Sequence, residues 1–141
     1  MPRLSPAKIR ATKGQSKLVT LSLGIAPMAK MADAVCDLIL VGDSLAMTLY
    51  GHGSTVQVPL DVMIWHGKGV VQSTKNACII VDLPFGSYER SPEQAFESAT
   101  RVLKETGAHG VKMEGGALMA PTIEFLTARG IPVLGHIGLF P

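Results

Sequence analysis

Charge and cysteine are scarce in this chain, and long apolar runs are missing. Only 17% of the 141 residues are charged and 47% are hydrophobic, a composition that excludes a disordered polar segment. The net charge is +2, so no strong field of one sign is available to recruit nucleic acid or an acidic membrane. Gly, Pro or a charged residue interrupts every apolar stretch well short of the roughly 20 residues that a bilayer-spanning helix needs. Cys36 and Cys78 lie far apart in apolar surroundings and form no CxxC, which predicts buried reduced thiols and a cytoplasmic protein. Neither GxGxxG nor GxxxxGK[ST] follows any apolar run, so the usual nucleotide-binding loops are absent. With no repeats of solenoid length and no low-complexity linker, residues 1–141 read as a single domain.

What is present is an alternating rhythm. Arg3, Lys8, Arg10, Lys13 and Lys17 all precede the first acid, Asp33, and residues 1–17 are expected to form an exposed basic leader and first helix. An organellar address is the alternative reading of that segment. Branched apolar runs follow at Leu18–Leu23, Leu38–Val41, Cys78–Val81, Gly110–Met113 and Pro132–Leu134. They lack polar alternation, so both faces should be buried, as in parallel strands. Helices are predicted between them over Ala26–Val35, over Leu60–Ser73, from Ser91 to Gly107, and from about Met119 to Gly130. Ser91-Pro92-Glu93-Gln94 supplies an N-cap, a proline in the first turn and a capping-box glutamine, and Gly107 is a natural stop. The pattern predicts an α/β fold with a parallel sheet covered by helices, either an open doubly wound sheet or a barrel.

Polar residues cluster where these strands end. The second runs into Gly42-Asp43-Ser44, the third into Asp82-Leu83-Pro84, the fourth carries Lys112 and Glu114, and the fifth ends in Gly135-His136. Ligands of parallel α/β folds bind beyond the carboxyl ends of strands, so these groups should meet at one mouth. Carboxylates there would repel one another unless a cation joined them, and hard oxygen ligands of this kind suit Mg²⁺. Taken singly, each residue has a plainer role. An Asp after a strand is commonly an N-cap or turn former, Lys112 could simply pair with Glu114, and a lone His136 reads as a satisfied core histidine. His52 and His66 are read as structural residues or as neighbours of the site. The recurrence of polar strand ends is what points to function.

Several segments resemble the ketopantoate hydroxymethyltransferase family. They are Leu40-Val41-Gly42-Asp43-Ser44-Leu45-Ala46-Met47-Thr48, Gly51-His52-Gly53-Ser54-Thr55, Asp82-Leu83-Pro84-Phe85, Ser91-Pro92-Glu93-Gln94-Ala95, Val111-Lys112-Met113-Glu114-Gly115-Gly116 and Gly135-His136-Ile137-Gly138-Leu139. They occur in family order over nearly the whole chain from about Ala7, and Ile9–Thr20 resembles the family's first helix and its approach to strand one. The resemblance implies a (β/α)₈ TIM barrel of the phosphoenolpyruvate/pyruvate type, of which about the first five strands are here. It implies transfer of a hydroxymethyl group from 5,10-methylenetetrahydrofolate to 3-methyl-2-oxobutanoate, giving 2-dehydropantoate for pantothenate biosynthesis through a Mg²⁺-stabilised enolate. Carried over by motif, Asp43, Asp82 and Glu114 would bind the metal, and Ser44, Asp82, Lys112 and His136 would hold the 2-oxo acid. The family's general base is a glutamate on a later strand, expected beyond residue 141, so no catalytic base is assigned here and the 141 residues alone are expected to be inactive. A homo-oligomer, commonly a decamer, is the implied assembly.

Two departures from the family pattern stand out. Strand one normally ends in a Tyr-Asp pair, where this chain has Leu23-Gly24-Ile25-Ala26, and Gly53 replaces a common acid. The alternatives are another Mg²⁺-dependent 2-oxo acid barrel of the phosphoenolpyruvate mutase or isocitrate lyase type, or a non-catalytic half-barrel that completes its fold with another chain.

Overall fold

The computed structural model describes residues 3–138, so Leu139 of the last motif lies outside the described residues. Five strands, β1 Thr20–Ser22, β2 Leu38–Val41, β3 Cys78–Asp82, β4 Gly110–Met113 and β5 Val133–Gly135, form one sheet. Every neighbouring pair is parallel and the strands lie side by side in chain order. That order decides between the two predicted architectures. A doubly wound sheet reverses direction at a switch point, whereas a barrel adds each strand to the same side. The chain is therefore part of a (β/α) barrel.

Among the described residues six α-helices accompany the strands, α1 Pro6–Ala11 ahead of β1 and α2 Ala26–Ala32, α3 Leu45–Thr48, α4 Leu60–Ser73, α5 Pro92–Thr106 and α6 Ala120–Thr127 between strands. The helix over α4 falls where its spacing predicts, burying Met63, Ile64, Gly67 and Val70 along one stripe. Helix α5 begins at Ser91, whose Oγ accepts from the Gln94 N–H at 3.2 Å, and ends at Gly107, whose φ of 75° no other residue adopts as easily. Gln94 does not close the expected capping box. Its Oε1 accepts from the Arg90 N–H instead, while its Nε2 donates to the Gly86 carbonyl. Elsewhere boundaries move. Strand β1 covers only part of its apolar run, and β1 and β5, at the two edges of the sheet, are largely exposed instead of buried on both faces as expected, while the first helix is capped by Ser5 ahead of Ile9. Helix α3 and the 3-10 turns at Thr55–Gln57 and Gly116–Met119 were not predicted.

The sheet has two unlike faces. On one, Ile39, Val41, Ile79, Val81, Val111 and Met113 join Ala29, Met63, Val102 and Leu126 from the covering helices in the main core. Each such fully buried large side chain contributes about 1.5–3 kcal/mol. The other face carries Leu38, Cys78 and Ile80, on which Leu4, Ile9 and Leu40 pack. Helix α1 thus closes the end of this inner face where the strands begin. Both cysteines are buried and free, as expected. Among the described residues, no helix is long and apolar enough to cross a membrane.

Candidate functional site

Strand register assembles the site. Asp82 pairs with Lys112, one position after the Val41–Val81–Val111–Val133 row, and side chains two residues apart share a face. Lys112 and Glu114 therefore point together into the inner face, and Asp82 stands beside them. Lys112 Nζ donates to Asp82 Oδ2 at 3.1 Å and to Glu114 Oε1 at 3.0 Å. His136 Nδ1 lies 2.7 Å from the same Glu114 oxygen. The Asp43 backbone N–H donates to Asp82 Oδ2 at 3.1 Å, which brings the β2 end into the cluster. The residues expected to meet, Asp43, Asp82, Lys112, Glu114 and His136, do so.

The groups divide by charge environment. Burial pushes the Asp82 carboxyl up to about 6, against the pull of Lys112. Burial also raises Asp43, again opposed by the Lys112 ammonium and reinforced by Glu114. Glu114 goes the other way: burial disfavours its charge, but hydrogen bonds from Lys112 and His136 prevail and hold it below the usual range. Lys112 stays above its ordinary value because Asp82 and Glu114 outweigh its own desolvation. A cation does join the strand-end carboxylates, and in this structure it is the lysine.

Among the described residues no three His, Cys, Asp or Glu side chains form a ready-made metal cluster. The Lys112 ammonium stands between Asp82 and Glu114, and Glu114 is turned toward His136. A divalent cation nevertheless fits at Asp82 and Asp43. Asp82 Oδ1 is buried without a hydrogen-bond partner, although Oδ2 has two. An unpartnered buried carboxylate oxygen is costly unless something binds it. Mg²⁺ commonly uses only one or two protein carboxylates and fills its remaining positions with water or substrate.

Some neighbours were not foreseen. The Tyr88 hydroxyl is buried and accepts from the Glu114 N–H at 3.3 Å, fixing the backbone that presents Glu114. The buried Thr55 hydroxyl has no well-formed hydrogen bond but faces Asp43 and lowers its pKa. Ser22 Oγ, also unforeseen, approaches Gly42 beside the expected Ser44 Oγ. A serine in an apolar strand or a tyrosine in a turn gives no local pattern that sets it apart. His66 is structural in the way expected: its Nδ1 is hydrogen-bonded to the Gly24 carbonyl and its Nε2 lies 2.8 Å from the Tyr50 hydroxyl. His52 stacks on Tyr50. A separate cavity of about 450 Å³, lined by Ile9, Arg10, Leu38, Cys78 and Ile80 among others, lies at the opposite end of the inner face, away from the charged groups.

Comparison with known proteins bears on family and fold. A 3-methyl-2-oxobutanoate hydroxymethyltransferase from Sinorhizobium fredii is 57% identical over 139 residues, covering 99% of this chain and 51% of that protein. One from Brucella canis is 56% identical, with 99% and 50% covered. The chain thus spans about half the length of these relatives. Among solved structures, a putative lyase/mutase from Burkholderia cenocepacia superposes with a TM-score of 0.69 at 16% identity, covering 92% of this chain and 52% of that one. A 2,3-dimethylmalate lyase of the phosphoenolpyruvate mutase/isocitrate lyase superfamily gives 0.66 at 12%, covering 94% and 53%. At such identities the likeness is one of fold. The sequence-family comparison is more specific: residues 3–141 match the ketopantoate hydroxymethyltransferase profile, and the chain belongs to that family.

Proposed function

We propose that this site binds 3-methyl-2-oxobutanoate together with Mg²⁺ and serves its hydroxymethylation by 5,10-methylenetetrahydrofolate to 2-dehydropantoate. The observation that carries the reading is the buried, unpartnered Asp82 Oδ1 beside Asp43, with Lys112 already saturating the other Asp82 oxygen. Asp43 and Asp82 would hold the cation, with Glu114 as its outer neighbour. When bound there, Mg²⁺ supplies Lewis-acid polarisation of the 2-oxo carbonyl.

The chain's own residues do the rest of the positioning. Lys112 places a positive charge at the floor of the mouth, where it offsets the carboxylate of an incoming 2-oxo acid. Glu114 holds that ammonium from one side and Asp82 from the other, so its position is fixed before substrate arrives. The Ser44 hydroxyl makes no hydrogen bond to the described residues and is available as a donor. His136 lines the same mouth and, through Glu114, steadies Lys112. Family membership supports this reaction over that of a phosphoenolpyruvate mutase or isocitrate lyase type enzyme, to which the likeness is of fold. The reading extends to a homo-oligomer, supported by exposed Met31 on α2, Val35 in the turn after it and Trp65 on the adjacent α4.

The test is an assay of protein expressed from its natural gene with both substrates and Mg²⁺. Formation of 2-dehydropantoate that chelation abolishes is the expected result. No product at any Mg²⁺ concentration from protein that carries the later-strand glutamate would overturn the reaction, whereas these 141 residues alone are expected to give none. Failure to bind either Mg²⁺ or the 2-oxo acid would favour a non-catalytic assembly partner.

A further inference from the structure

Gly51-His52-Gly53-Ser54-Thr55 is one of the segments that carry the family resemblance, yet the function proposed above gives it no role. It follows α3 and runs into the 3-10 turn Thr55–Gln57. That turn is tied down on both sides. Ser54 Oγ accepts from the Val56 N–H at 3.2 Å, and the Thr55 carbonyl accepts from the Val58 N–H at 3.1 Å. Val58 is buried in the main core, and upstream the His52 N–H donates to the Ala46 carbonyl at 3.0 Å. A β-branched side chain on so fixed a backbone has little rotational freedom left.

Among the described residues, two buried side-chain polar atoms lack a hydrogen-bond partner: Thr55 Oγ1 and Asp82 Oδ1. Each is costly, so each calls for a physical reason. Asp43 links them. Its backbone N–H donates to the other Asp82 oxygen, and its carboxylate faces the Thr55 hydroxyl. The two atoms have opposite needs. Ionised Asp82 can only accept, which a cation answers, whereas the Thr55 hydroxyl has a proton to donate and the acceptor before it is Asp43. Packing alone gives no reason for this hydroxyl, since valine has nearly the same shape and strands no polar atom.

We propose that Thr55 is a positioning residue for the cation site: its hydroxyl closes a hydrogen bond to the Asp43 carboxylate when Asp43 and Asp82 together take a divalent cation. The inference rests on the Mg²⁺ reading of the site and adds to it a residue that acts through Asp43. A carboxylate held by a donor on a fixed turn has less freedom to lose when the cation arrives. The hydroxyl in turn gains the partner it otherwise lacks.

Mn²⁺, which takes the same oxygen ligands as Mg²⁺, is the probe, and its uptake is read from the loss of the free-ion EPR signal. Wild type expressed from its natural gene is compared with Thr55→Val and Thr55→Ser, and each protein is also melted without metal. Thr55→Val keeps the shape and loses the donor, so Mn²⁺ affinity should fall about ten- to a hundredfold. Its metal-free melting temperature should not fall, because no well-formed hydrogen bond is removed. Thr55→Ser, which keeps the hydroxyl, should bind Mn²⁺ nearly as well as the wild type. Unchanged affinity in Thr55→Val would overturn the proposal and leave the metal site standing. So would a loss that Thr55→Ser shares in full, which would assign the effect to packing. A wild type that takes up no Mn²⁺ would overturn the metal reading of the site and this inference with it.

Discussion

Asp82 and Lys112, register partners on β3 and β4, are joined by a 3.1 Å ion pair whose side chains are 5% and 11% exposed. Breaking it from the lysine side is expensive, because the buried Asp82 carboxylate is left with no compensating charge, whereas Lys112 keeps Glu114 if Asp82 is neutralised. Lys112→Met should therefore cost about 3–5 kcal/mol at pH 8, measured by urea unfolding. The loss should shrink at pH 5, below the raised Asp82 value of about 6, where that carboxyl can take up a proton instead.

Asp82→Asn should do the opposite to stability. With a folded pKa above the unfolded one, protonated Asp82 contributes stability that is full below about pH 4 and is lost as the pH rises through about 6. The neutral variant should exceed the wild type by roughly 1–3 kcal/mol at pH 8 and match it near pH 3.5. Mg²⁺ should raise the melting temperature of the wild type and leave the variant's unmoved. A wild type more stable than the variant at pH 8 without metal would contradict the assignment.

Asp33 behaves in the reverse sense. It is buried at the end of α2, where its carboxylate accepts from the backbone N–H groups of Lys75, Asn76 and Ala77. Burial alone would raise its pKa, but these donors outweigh it and the folded value is lowered. Its contribution is thus present above the unfolded value near 3.8 and lost as the pH falls through the folded one. Asp33→Asn should destabilise by about 2–3 kcal/mol at pH 7, and the gap should close in acid. Thermal melts at a series of pH values would show it.

Tyr88→Phe removes the acceptor for the buried Glu114 N–H and leaves the ring volume in place. A loss of about 1–2 kcal/mol in unfolding free energy is expected. Because Lys112 and His136 still grip the Glu114 side chain, affinity for the 2-oxo acid should fall far less than in Lys112→Met. A comparable fall in affinity would assign Tyr88 a direct contact with substrate.

The fold and the site were legible in the sequence to different depths. Strand β2 and helix α4 lie where the apolar runs and spacing put them, because burial alone decides both. The apolar runs alone left an open sheet and a barrel undecided, since a run carries no record of which edge it joins, and it was the family resemblance that implied the barrel the strand order bears out. The β1 run overstates both the length and the burial of its strand, since nothing in an apolar run says that the strand stands at a sheet edge. Asp43, Asp82, Lys112, Glu114 and His136 were visible as polar residues after apolar runs. Ser22 was hidden because a hydroxyl within a short strand changes neither periodicity nor charge, and Tyr88 because its burial depends on a contact made 26 residues later in the chain. That Lys112 stands between Asp82 and Glu114 depended on side-chain reach, which spacing does not encode.

The pairing of β3 with β4 carries a further consequence. The charged groups of the mouth are spaced by hydrogen-bonded backbone, so a shift of one residue would turn Lys112 and Glu114 away from Asp82 and into the helix-packed core. Such a slip would strand two charges in hydrocarbon, and the sheet is thereby locked into the one alignment in which the site exists. The site becomes a checksum on folding: a chain that has assembled its core correctly has already set its ligand-binding atoms. Little orientational entropy then remains to be lost when a ligand arrives.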